Sequence, residues 1–192
     1  MKRMEAMQII ADRFPQEPII ANCGATSREL AAIERSDRHF YILDSMGMAS
    51  SVGLGLALAL EETAVNHVIV LEGDGALLMN LSSLASIAYH RPKKLLLVVL
   101  DNAAYASTGG QPTYTTQLDL AQLAQGANLT TYVAANGQEL RSCLDKAEAA
   151  AAPVFLHVKI EAGNSPNIPY LLEDPAIISH RFSNWLAKRL TI

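Results

Sequence analysis

The 192-residue sequence predicts an α/β fold: a doubly wound, mainly parallel sheet with helices on both faces. Three observations point there. Strand-like and helix-like segments alternate over nearly the whole length, as βαβ units require. Two strand-like segments, His67–Glu72 (HVIVLE) and Lys94–Leu100 (KLLLVVL), are almost unbroken apolar runs, which suits strands buried on both faces. Hydrophobic residues make up 50% of the chain and aromatics only 6%, a composition better suited to α/β layers than to a β-sandwich.

Apolar residues at helical spacing (Met4, Met7, Ile10, Phe14) predict a first helix from Met4 to Phe14, stopped by Pro15. Pro18–Asn22 reads as a short strand and Cys23–Thr26 as a turn. A helix follows over Arg28–Arg35, with Thr26 or Ser27 as its cap and Glu29 in the first turn, where it favours the helix dipole. His39–Leu43 is a strand, Asp44–Gly47 a turn, and Met48–Glu62 a helix of small residues able to lie close to other backbone. The strand His67–Glu72 leads into one helix from Ala76 onward. After the strand Lys94–Leu100 comes a loop, Ala103–Gln117, dense in Thr, Gly, Ser and Tyr. Asp119 caps a helix running to Gln125. Leu129–Ala134 is a strand rich in β-formers, Gln138–Ala151 an amphipathic helix and Pro153–Ile160 an apolar strand. The whole reads as one domain, 1–192, in which 162–192 is a C-terminal extension ending in a helix, Ile177–Leu190.

Composition excludes several classes. A net charge of -4 and a pI near 5.7 leave no polyanion-binding footprint, so nucleic acid is not an expected partner. The longest apolar stretch, Met46–Leu60, is short for a membrane span and carries serines and glycines. The N-terminus lacks the apolar core of a signal peptide. The expected setting is cytoplasmic, with Cys23 and Cys143 as reduced thiols. None of the five histidines has metal-ligand spacing with another, and His157, alternating within a strand, is expected to be a hydrogen-bonded core residue.

The chemistry concentrates at the ends of the two buried strands. Gly73-Asp74-Gly75 closes the first and Asp101-Asn102 the second. Parallel neighbours deliver both ends to one crevice, where open α/β sheets bind ligands. Flanking glycines allow close backbone approach, and the free N–H groups of the helix beyond favour phosphate. A carboxylate beside phosphate repels it unless a divalent cation lies between. Asp74, the Asn102 side-chain oxygen and a nearby backbone carbonyl form an oxygen set suited to Mg²⁺.

GDG followed by Asn102, with the 26 residues 76–101 between, resembles the thiamine diphosphate (ThDP) signature of 2-oxo acid decarboxylases and acetolactate synthases. The resemblance implies that Asp74, Asn102 and the carbonyl of Ala104 ligate Mg²⁺ or Ca²⁺. The N–H groups of Gly75 and Ala76, next to Gly73, would then meet the diphosphate. Asp44-Ser45-Met46 resembles the segment holding the aminopyrimidine, with Met46 as the apolar wedge under the bent cofactor. Asn22, Thr26 and Ser27 resemble a turn that adds diphosphate contacts, and Tyr105 and Ala106 continue the wall after Ala104. The family usually has Gly at position 44, and often at 103 and 106, where this chain has Asp44, Ala103 and Ala106.

More narrowly, NCG-x-TSREL, SMG-x-ASS, GDG-x-LLMNL and STGGQPT together are similar to the β subunit of sulfopyruvate decarboxylase and to the C-terminal part of phosphonopyruvate decarboxylase. This implies cofactor-borne decarboxylation of a small 2-oxo acid, 3-sulfopyruvate first, to an aldehyde and CO₂. Arg28, Ser107, Thr108 and Gln111 are candidates for substrate or loop-closure contacts, with Arg28 equally readable as a solvated helix residue. The alternatives are phosphonopyruvate or another 2-oxo acid, or a non-catalytic ThDP- or nucleotide-binding regulatory domain. The family also uses an activating glutamate from a separate pyrimidine-binding domain. No second domain is evident here, and Glu72 lies at the diphosphate end. An α subunit carrying that domain is therefore expected, in a hetero-oligomer.

Overall fold

The computed structural model describes residues 1–190, so positions 191 and 192 of the expected C-terminal extension lie outside the described residues. The chain runs α1 (Arg3–Arg13), β1 (Ile19–Ala21), α2 (Ala25–Ile33), β2 (His39–Tyr41), α3 (Ala49–Ala59), β3 (Val68–Gly73), α4 (Asp74–Met79), α5 (Ser83–His90) and β4 (Leu95–Asp101). A short ladder, β5 (Ala104–Tyr105) with β6 (Gln111–Pro112), and a 3-10 turn at Tyr114–Thr116 come next. Then follow α6 (Leu120–Gly126), β7 (Thr130–Ala134), α7 (Gly137–Glu148), β8 (Val154–Lys159) and α8 (Pro175–Leu190).

Six strands form one parallel sheet in the order β2-β1-β3-β4-β8-β7. Alternate residues of each strand feed separate cores. Ile19, Ile69, Leu71, Leu96 and Val98 pack with α1, α2 and α7, and Ile20, Val68, Val70, Leu97 and Val99 with α3–α6. Helices therefore cover both faces, as the apolar strands required. From β1 the chain steps outward to β2 and returns to β3 on the other side. The C-terminal ends of β1 and β3 consequently flank a topological switch point, the usual ligand crevice of such sheets. At the β2 edge, Phe182 of α8 meets Phe40 with ring centroids 5.3 Å apart, which covers an otherwise open strand. No helix among the described residues is long and apolar enough to cross a membrane.

Several local expectations are corrected. The segment between β3 and β4 is two helices, because Asn80 leaves helical geometry and donates its side-chain amide to Gly47 O (2.8 Å) and Ser51 Oγ (2.9 Å). The first of them starts at Asp74 rather than Ala76. Neither Thr26 nor Ser27 caps α2. That helix begins at Ala25 behind Gly24, whose φ of 78° is open to glycine, and Ser27 Oγ instead donates to Asn22 O at 2.8 Å. Glu29 is a buried ion-pair partner of Arg3 rather than a dipole-facing residue. Asp119 does cap α6, accepting from the Ala121 and Gln122 N–H groups. In α3, a Cβ on Gly53 would lie 2.1 Å from Val70 Cγ2, so the small residue is what lets that helix seat on β3.

Two of the positions where the resembling family has glycine, Asp44 and Ala103, both have φ of +56°. A side chain there costs about 1–2 kcal/mol. Ala103→Gly is expected to recover part of this, roughly 1 kcal/mol after the added freedom of the unfolded chain is counted. The corresponding rise in Tm is about 2–4 °C by thermal unfolding. An unchanged or lower Tm would show that the turn is not strained.

Candidate active site

A cleft of about 380 Å³ opens at the C-terminal ends of β1, β3 and β4. Its walls come from the β1–α2 turn, the Asp44–Met46 segment, the β3–α4 junction and the strip from Asn102 to Ser107. Register makes this meeting compulsory. Ala21 pairs with Leu71 and Gly73 with Leu100, so the residues that follow all emerge at one level.

Asp74 is 2% exposed and no Lys, Arg or His among the described residues pairs with it. Its Oδ2 accepts from Thr113 Oγ1 at 2.6 Å and Thr115 Oγ1 at 3.3 Å. Burial, with some help from the nearby Asp101 charge, lifts its carboxyl above the usual range, against lowering by the Thr113 hydroxyl and the Gly75 and Asn102 N–H groups. Thr115 also donates to Asp101 Oδ1 at 2.9 Å, linking the two acids. Asp101 itself is committed elsewhere. His157 Nε2 lies 2.7 Å and Lys159 Nζ 2.6 Å from its Oδ2, and the Ala103 N–H donates to Oδ1. Burial pushes Asp101 up, but these hydrogen bonds outweigh it and hold the group well below the usual carboxylate range. The expected core role of His157 is thus a hydrogen bond to this acid. Asn102 turns its Oδ1 to the Ala104 N–H at 3.1 Å, and the Ala104 carbonyl accepts from Ala106 N–H at 3.0 Å. Each of those oxygens keeps a second lone pair.

Gly75 has no positive φ; close packing demands it instead. A Cβ there would lie 2.4 Å from Tyr105 Cε1 and 3.3 Å from Thr113 Cγ2. Glu72 is fully buried and accepts from Ser50 N–H and Oγ at the start of α3. Burial drives its carboxyl up to about 7, opposed by those bonds. It does not line the cleft.

The structure gathers Asn22, Thr26, Asp44, Met46, Gly73, Asp74, Gly75, Ala76, Asn102, Ala104, Tyr105 and Ala106 around this cleft. Ser45 and Ser27 are not on its wall: Ser45 is exposed, and Ser27 is buried with its hydroxyl on the Asn22 and Ala21 carbonyls. Of the substrate candidates, Arg28 and Ser107 line a second, adjoining cavity. Thr108 and Gln111 line neither; Thr108 Oγ1 donates to Gln111 Oε1 at 2.8 Å, closing the β5–β6 turn. Thr113 and Thr115 escaped the sequence reading, although their i, i+2 spacing just beyond Asp101-Asn102 is a usable signal. Arg3 and Asn164 escaped it as well, and only their long-range contacts, with each other and with Glu29, reveal them.

The family model for thiamine pyrophosphate enzymes, C-terminal TPP binding domain, matches residues 22–158. The chain belongs to the thiamine pyrophosphate (ThDP) enzymes. The sulfopyruvate decarboxylase subunit beta of Methanothermobacter thermautotrophicus is 42% identical to this TPP-binding domain over 95% of the chain and 94% of that protein. The phosphonopyruvate decarboxylase of Streptomyces hygroscopicus is 34% identical over 94% of the chain but only 45% of its own length. Benzoylformate decarboxylase from Polynucleobacter necessarius superposes with a TM-score of 0.72 at 16% identity, over 84% of the chain and 33% of that structure. The TPP-binding domain thus spans about a third of that enzyme's chain, and the likeness is one of fold.

The cleft suits a diphosphate with a divalent cation. Among the described residues, Asn22 Oδ1 is buried at its wall without a hydrogen-bond partner, and the buried Asp74 carboxylate has no ion-pair partner. No group of three or more His, Cys, Asp or Glu among the described residues could hold a metal. The donor set is one carboxylate, one amide oxygen and one backbone carbonyl, all hard oxygens, with room for phosphate oxygens to complete it.

Proposed function

We propose that this TPP-binding domain is the cofactor-holding β subunit of a Mg²⁺-dependent 2-oxo acid decarboxylase acting on a small substrate with an acid group at C3, 3-sulfopyruvate first, to give sulfoacetaldehyde and CO₂. The observation that carries this is the buried Asp74 carboxylate, unpaired with any basic residue among those described and sharing the switch-point cleft with Asn102. In this reading Asp74 Oδ1, Asn102 Oδ1 and the Ala104 carbonyl hold Mg²⁺. The N–H groups of Gly75 and Ala76, with Asn22 and Thr26, take the diphosphate. Met46 would pack against the ring system, and the Asp44 carbonyl would be available to the aminopyrimidine. ThDP, when bound, supplies the nucleophilic carbon and electron sink that decarboxylation requires. The chain's own residues bind, orient and dehydrate.

Support for a partner subunit comes from what lines the cleft. Among the described residues its only wall carboxylates are Asp44 and Asp74, and Glu72 is turned away beneath α3. The glutamate this chemistry uses would therefore arrive on an α subunit with a pyrimidine-binding domain. Exposed Met46 on the cleft wall, with exposed Met48 and Val52 at the start of α3 and Met79 at the end of α4, offers apolar surface for it. A phosphonopyruvate-type substrate is the second reading, favoured by the 34% identity to that decarboxylase.

The test mixes the purified chain, ThDP and Mg²⁺ with and without the candidate α subunit and measures CO₂ release from sulfopyruvate, phosphonopyruvate and pyruvate. Activity is expected only in the mixture. Turnover by the chain alone would sink the two-subunit reading, and a mixture that binds ThDP yet releases no CO₂ would sink the decarboxylase.

A further inference from the structure

We propose that Arg28, in the cavity beside the cofactor cleft, recognises the sulfonate or phosphonate at C3 of the substrate. This rests on the decarboxylase reading above and adds the residue that selects among 2-oxo acids.

The cavity holds about 540 Å³ and shares Cys23, Gly24, Asp44, Ala106 and Ser107 with the cofactor cleft. A ligand reacting in the cleft can thus reach into it without crossing protein. Its far wall is the start of α2 and its roof is Tyr170–Leu172, from the segment leading into α8. That segment is anchored. Ser165 N–H donates to Glu29 Oε1 at 2.9 Å, Arg3 reaches Asn164 Oδ1 at 3.2 Å, and Asn164 Nδ2 donates to Ala106 O at 3.3 Å.

Arg28 is the sole basic side chain on this wall among the described residues. Its guanidinium stacks over the Tyr170 ring at 4.7 Å. No carboxylate of the described residues lies within ion-pair distance, and Nε is shielded from solvent without a hydrogen-bond partner. Contact with the ring holds the guanidinium in place without using its N–H donors, which suits it to a tetrahedral acid's oxygens. Neighbouring cations are committed: Arg3 to Glu29, Lys159 to Asp101. Asp44 lines both spaces, so Arg28 is the one positive charge that offsets it for an acid group entering the cavity. Every 2-oxo acid carries the C1 carboxylate, so selection among them falls to groups that meet C3, where a cation favours an acid over a methyl group.

The experiment uses the two-subunit complex with ThDP and Mg²⁺, carrying Arg28→Met or Arg28→Lys. It measures kcat and KM for sulfopyruvate and pyruvate and, separately, ThDP affinity by calorimetry. In the Met variant the ratio of kcat/KM for sulfopyruvate to that for pyruvate is expected to fall roughly 10- to 100-fold, the loss of one or two charge-assisted hydrogen bonds. The fall lies mainly in KM, ThDP affinity stays within about twofold, and Lys restores part of the ratio. An unchanged ratio overturns the proposal, as does an equal loss for both substrates with weakened ThDP binding, which would assign Arg28 to the cofactor. Should the Met variant not assemble, the Lys variant carries the same comparison with a smaller fall, about 5-fold. A parent complex that turns over pyruvate but neither acid-bearing substrate would instead remove the reading of a substrate with an acid group at C3, and Arg28's role with it.

Discussion

Asp74→Ala is expected to abolish Mg²⁺-dependent ThDP binding in the assembled complex, a loss of at least about 100-fold, or near 3 kcal/mol. Asp74 contributes the one formal negative charge among the proposed metal oxygens, and a hard cation held by few protein ligands depends heavily on that charge. The alanine also removes the carboxylate to which the Thr113 hydroxyl donates at 2.6 Å, while Thr115 keeps Asp101 Oδ1 as its acceptor. Asp74→Asn keeps an acceptor for them and separates loss of charge from loss of packing. Thr113→Val should sit between, weakening binding about 10-fold by freeing the carboxylate to rotate, and Thr113→Ser should restore it. Calorimetric titration of Mg²⁺ with ThDP present reads all four. Undiminished binding in Asp74→Asn would remove Asp74 from the metal site.

Glu29→Ala is expected to lower stability by about 3 kcal/mol, a fall in Tm of about 6–12 °C. Glu29 is 1% exposed and pairs at 3.0 Å with Arg3, itself 8% exposed, so truncation leaves a buried guanidinium without its counter-charge. The same carboxylate accepts from Ser165 N–H, so segment 161–174 should exchange amide hydrogens faster in the variant. Glu29→Gln retains the acceptor and should cost less. A Tm within 1 °C of the parent in Glu29→Ala would show that the pair contributes nothing net, as some ion pairs do.

These two sites differ in how far the sequence disclosed them. Asp74 was legible because its evidence is local: an acid between glycines at the end of an apolar strand, repeated in kind at Asp101-Asn102. Glu29 was misread because the same local logic, an acid near a helix start, gave a plausible but wrong assignment. Its partner lies 26 residues earlier, on a different helix.

Period and composition alone determined the doubly wound sheet, the buried strands β3 and β4 and the residues that gather at their ends, because a strand buried on both faces must read as an apolar run. Tertiary structure decided the rest. Strand order placed the β1–α2 turn at the switch point. Asn80 broke one expected helix in two by bonding across to the Gly47 loop. Asp101 became a support for the site through His157 and Lys159, which lie 56 and 58 residues further along. Of the two readings open for Arg28, substrate contact or solvated helix residue, the cavity wall fits the first because the segment around Tyr170 returns over it. Each of these depends on which atoms lie within a few ångströms, and the chain sets that only when distant segments pack.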